Sequence, residues 1–128
     1  MPITHYAANI DLDARYGSGS PATIYFALFT SMPGLDGTGG AETTDSGYAR
    51  VGLTNNTTNF PNAALGVKQV ATAVLFAAAV EGYTLVGIGI YDASTAGNLM
   101  HFQQLDANED IAIGVSPNFP SGQIQIIR

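Results

Sequence analysis

Residues 85–102, LVGIGIYDASTAGNLMHF, decide how the rest of the chain is read. Two apolar runs flank a small polar cluster, and glycine interrupts the first run at 87 and 89. Alternation on either side of a turn-forming A-S-T-A-G-N segment predicts a β-hairpin. Val86, Ile88 and Ile90 are expected on the core face, with Gly87 and Gly89 on the other beside Leu85 and Tyr91. Glycine weakens a strand interior and often marks a site of close approach, so a helix or a large side chain is expected against both glycines.

Outward from the hairpin the same period recurs. TIYFALFT (23–30) sets Ile24, Phe26 and Leu28 against Tyr25, Ala27 and Phe29, which predicts a central strand buried on both faces. YARVGL (48–53) places Ala49, Val51 and Leu53 on one side. VATAVLF (70–76) sets Val70, Thr72, Val74 and Phe76 against Ala71, Ala73 and Leu75. A helix over 69–80 competes because alanine favours it, but the β-branched residues favour strand. LMHFQQL (99–105), Ile111 with Ile113 and Val115, and Ile124 with Ile126 complete the set, with a short strand near Thr58. ITHYAANIDLDARYG (3–17) carries Ile3, Tyr6, Ala7, Ile10 and Ala14 near helical spacing, which predicts a helix over 4–15, closed by Gly17 and the GSGSP break (17–21). The expected fold is mainly β: one antiparallel β-sandwich domain over 1–128, jelly-roll-like or Ig-like, of about 7–8 strands with a short N-terminal helix.

Composition narrows the function. Of 128 residues only 11% are charged while 46% are hydrophobic, so part of the surface is expected to be covered by other protein. The net charge is −6, and four scattered cations (Arg15, Arg50, Lys68, Arg128) form no basic stripe. Nucleic acid and anionic membrane are therefore not expected as partners. Cysteine is absent, which excludes disulfides, thiolate catalysis and cysteine-type zinc sites. The first residues lack the pattern of a signal peptide, and the apolar stretch 70–80 is too short to span a bilayer. Synthesis is expected in a cytoplasm, with export, if any, by cell lysis or a partner.

Fragments that imitate catalytic motifs fail on context. GSGSPA (17–22) has the spacing of a dinucleotide loop, but it follows a helix and contains Pro21. Asp106, Asn108 and Asp110 in DANED resemble the start of a calcium loop, yet Ile111 stands where glycine is required, and surface carboxylates in a turn explain them. His5 and His101 are too few for a catalytic zinc, no serine lies in G-x-S-x-G, and Arg50 beside Tyr48 reads as a stacking or ion-pair partner. No enzyme activity and no cofactor or metal are expected.

The long Gly/Thr/Asp-rich segment 31–47 is the remaining anomaly, because such loops are usually functional or disordered. Met32 and Leu35 put apolar side chains there, and Phe60 and Phe119 do the same in other loops. These four are the candidate protein-interface residues, and the 31–47 loop is expected to become ordered against a partner.

TIYFALFTSMPGLDGTGGAETTDSGYARV (23–51), GIGIYDASTAGNLMHF (87–102) and SPNFPSGQIQI (116–126) together resemble segments of small bacteriophage virion proteins, in the same order over roughly residues 3–127. Relatives of that kind are commonly labelled tail-fibre proteins, and small β-sandwich proteins of this size also serve as capsid cement. The resemblance implies a virion structural protein. The leading expectation is a capsid decoration protein on the capsid surface, binding over joints of the major capsid protein and forming a dimer or trimer with itself. It would stabilise the head by mass action. The alternative is a tail-fibre or tail-adaptor component whose loops bind receptor or carbohydrate, with Tyr48, Tyr83 and Tyr91 supplying rings.

Overall fold

The computed structural model describes residues 1–128. Its elements are α1 (His5–Arg15), β1 (Thr23–Ser31), β2 (Ala41–Glu42), β3 (Val51–Thr54), β4 (Val67–Gln69), β5 (Val74–Leu75), β6 (Tyr83–Tyr91), β7 (Leu99–Ile111), β8 (Asn118–Phe119) and β9 (Gln125–Ile127). With 38% strand against 9% helix and antiparallel pairing, the protein is mainly β with one short N-terminal helix, consistent with the expected sandwich class. One sheet runs β2-β1-β6-β7 with β3 also on β1, and β4–β9 and β5–β8 form two-stranded pairs. The chain divides into two compact units: residues 1–24, 53–74 and 119–128, and residues 25–52 and 75–118.

The second unit is built on the β1–β6–β7 ladder. β1 pairs antiparallel with β6 from Tyr25↔Tyr91 to Phe29↔Gly87. Phe26 to Phe29 are all buried, as a strand covered on both faces requires. The hairpin forms as expected, but its faces are exchanged. Leu85, Gly87 and Gly89 point inward and Val86 and Ile88 are only half-buried, although Ile90 is buried. The reason lies on β1 and just beyond it. A Cβ on Gly89 would meet the Phe29 ring and Leu99, and one on Gly87 would meet the Met32 sulfur and the Gln103 carbonyl. The glycines mark the covered side because large neighbours fill the space their own side chains leave empty.

The first unit is organised around α1. The Thr4 hydroxyl accepts from the Ala7 amide as N-cap, and Ala8 and Leu12 are the helix's buried residues. The helix ends at Arg15, and Gly17 then takes φ +94°, where a Cβ would lie 2.8 Å from the Phe60 carbonyl. Tyr16 and Phe60 are fully buried with ring centroids 5.9 Å apart. Asn55 is a polar rivet here. Its side-chain amide donates to the carbonyls of Arg15 and Pro21, and its oxygen accepts from Gly17. Lys68 is 1% exposed, and its ammonium group meets Asp13 at 2.8 Å.

Three expected strands change. Near Thr58 the chain turns instead, held by Phe60 N–H on the Asn56 carbonyl and Asn59 N–H on the Asn56 side chain. In the 70–76 segment Val70, Val74 and Phe76 are buried as its alternation implied, but the chain bends at Thr72 and only Val74–Leu75 pairs as strand. Residues 111–115 are not a strand. Ile111 ends β7, while Ile113 is 71% exposed in a turn closed by Val115 N–H on the Ala112 carbonyl.

Candidate functional site

The most concentrated chemistry of the second unit surrounds Arg50. Its guanidinium pairs with Glu42 at 2.5 Å, lies 3.6 Å over the Tyr91 ring, and donates to the Ala93 and Ala96 carbonyls at 2.8 Å each. The Tyr48 hydroxyl donates to Glu42 at 2.6 Å and accepts from the Leu28 amide, while its ring stacks on Phe76. Burial works to raise the Glu42 pKa, but the Arg50 and Tyr48 hydrogen bonds hold it below the usual value. Burial, followed by the Glu42 carboxylate, pushes the Tyr48 phenol up. Arg50, Glu42 and the Tyr48 hydroxyl are engaged with one another and with backbone groups, so the arrangement fixes local geometry.

The cluster's role is visible in the segment it holds. Ala96 sits at φ +51°, a conformation unfavourable for a residue with a Cβ. Arg50 secures it from one side, and Asp92 closes it from the other by accepting from the backbone and side-chain amides of Asn98. The turn between β6 and β7 is thus anchored to β2 and to the residue preceding β3.

Asp45 does the same for the 31–47 loop. Its carboxylate accepts from the amides of Val80, Glu81, Gly82 and Gly47, which lowers its pKa. Thr43 adds a hydrogen bond from its amide to the Leu28 carbonyl, and β2 itself lies within the loop. The loop was expected to need a partner in order to settle. Within the chain, Glu42 and Asp45 tie down its 41–47 end, while Leu35 nearer its start stays 97% exposed.

Of the four candidate interface residues, Phe60 and Phe119 lie in the first unit and Met32 and Leu35 in the second. Phe60 is fully buried and Phe119 is 8% exposed, both within the core of the first unit, so in this fold their rings fill that core rather than its surface. Met32 is half-buried against Gly87, and Leu35 is 97% exposed. Leu35 and Gly37 face Leu99, Met100, His101 and Phe102 across an open cleft of about 330 Å³ in the second unit. His5 lies on α1 in the first unit and His101 on β7 in the second. Of the three tyrosines weighed as a sugar platform, Tyr48 and Tyr91 have ring faces engaged by Phe76 and Arg50. No group of three or more His, Cys, Asp or Glu side chains is placed to hold a metal ion.

Glu42, Asp45, Arg50 and Asp92 thus hold the loops of a mainly β scaffold in the second unit. The family model described as Podophage GP4 fiber I protein gp80 matches residues 2–127, and the chain belongs to that family of phage virion structural proteins. No curated protein matches it. No helix is long and apolar enough to cross a membrane.

Proposed function

We propose that the protein is a non-enzymatic structural component of a phage fibre. The observation that carries this reading is the match to a fibre family over nearly the whole chain. It favours the tail-fibre alternative over the capsid-cement role that a compact, weakly charged domain first led us to expect. The geometry agrees with a scaffold: Arg50, Glu42, Tyr48 and Asp45 are all engaged in holding loops. The engaged rings of Tyr48 and Tyr91 also weigh against a sugar platform on those loops. Self-association into a dimer or trimer suits a fibre and would cover apolar surface that 11% charged residues leave bare.

The test is immunogold electron microscopy of intact particles with antibodies against the folded chain, together with its copy number relative to the major capsid protein. Label on fibres at low copy number is expected. Label distributed over the head, at a copy number comparable to the capsid protein, would overturn this reading in favour of cement.

A further inference from the structure

β7 is the open edge of the main sheet, since it pairs with β6 and with no other strand. An exposed edge presents unpaired backbone donors and acceptors and is a template for another strand. Its two halves differ in chemistry. Residues 99–104, LMHFQQ, carry no formal charge, whereas 106–110, DANED, hold three exposed carboxylates. The halves are separated by a large bulge. Between the pairs Leu85↔Glu109 and Gly87↔Gln104, Leu105 to Asn108 stand opposite Val86 alone. Continuous pairing along the whole edge is therefore blocked, and within the uncharged half 99–104 the ladder is regular from His101 to Gln104, with Met100 a further single-residue bulge between the pairs Ile90↔His101 and Tyr91↔Leu99.

That part is also where the cleft lies. The cleft is lined by Leu99, Met100, His101 and Phe102 of this half together with Leu35 and Gly37 of the 31–47 loop, so apolar side chains border the edge strand there. The charge of the second unit indicates what would enter. It holds eight carboxylates against the single guanidinium of Arg50, a net of −7, and that guanidinium is already paired with Glu42. A second copy of the same edge would bring the same acidic surface and be repelled. A basic segment would be drawn in.

We propose that residues 99–104 of β7, with Leu35, receive an extended strand from another protein of the particle, one that is apolar where it pairs and lysine- or arginine-bearing where it meets Asp106, Glu109 and Asp110. Backbone pairing would supply the affinity, the cleft would take alternate apolar side chains, and the acidic half would set the choice of partner. The inference rests on reading the chain as a particle component held by other proteins. Its test uses isolated protein, so its outcome is separate from where antibodies label the particle.

The probe is a synthetic nine-residue peptide of alternating valine and lysine, compared with its valine–glutamate counterpart, added to the full 128-residue chain. The valine–lysine peptide should bind and slow amide hydrogen exchange across 99–104, and the valine–glutamate peptide should do neither. Leu35→Lys should weaken binding without altering the fold, since that side chain is 97% exposed. Replacing Asp106, Glu109 and Asp110 together by their amides should lower affinity about ten-fold, because three exposed charge pairs are lost. No protection at 99–104, or equal binding of the two peptides, would overturn the proposal. Self-association that Leu35→Lys abolishes would overturn it in favour of a second copy as the occupant.

Discussion

Gly89→Ala asks whether close approach is what holds glycine in β6. Gly89 does not have a positive φ, so alanine can adopt its backbone conformation, and only space opposes the change. An added Cβ would press on the edge of the Phe29 ring, with a second ring carbon at 2.9 Å and Leu99 Cδ1 at 3.0 Å. Phe29 is 1% exposed and its ring packs beside Tyr91 at 6.3 Å, so it cannot swing clear. Forcing one methyl into such a site costs about 1–3 kcal/mol. Replacing a strand glycine recovers roughly 0.5–1 kcal/mol of backbone entropy. At the centre of these ranges the net loss is about 1 kcal/mol, which at a urea slope of about 2 kcal/mol per molar lowers the unfolding midpoint by about 0.5 M. The assay is urea unfolding followed by circular dichroism, run as a double-mutant cycle with Phe29→Leu. If the ring is the obstacle, the double variant is more stable than the summed single losses imply, by about 1 kcal/mol. An unchanged midpoint for Gly89→Ala, or strict additivity with Phe29→Leu, refutes the reasoning.

Other consequences follow from the polar anchors. Arg50→Lys keeps the charge but loses the forked contact with Glu42 and the bonds to Ala93 and Ala96, so a loss of about 1–3 kcal/mol is expected in urea unfolding, with faster hydrogen exchange across 92–98. Glu42 and Asp45 have folded pKa values below their unfolded ones, so their contribution is complete above the unfolded carboxylate pKa and is lost as pH falls through the folded values. Thermal melts should be level near neutrality and drop in acid, and Asp45→Asn should flatten that drop. Lys68→Met should be nearly neutral because it removes a buried charge from a half-exposed partner, while Asp13→Ala strands the ammonium and should cost about 1–3 kcal/mol; urea unfolding of the two variants separates the cases.

Periodicity and turn chemistry determined the fold class. The double-sided burial of β1, the β6–β7 hairpin, the burial of Val70, Val74 and Phe76 and the N-terminal helix are all local patterns, readable because side-chain direction repeats every two residues in a strand and near every 3.6 in a helix. The two glycines signalled a close approach without saying from which side. Alternation alone is symmetric between faces, and only Phe29 and Met32, brought across from β1 and the segment after it, decided that Leu85, Gly87 and Gly89 point inward. The anchoring of the 41–47 end of the loop was illegible for a related reason. Glycine content gives the entropy opposing order, but the opposing terms are long-range, with Asp45 reaching the amides of residues 80–82 and Glu42 reaching Arg50. Phe60 and Phe119 lie in segments that read as loops, and tertiary packing alone placed both rings in a core. The open edge of β7 is likewise a property of strand order, which no single segment encodes.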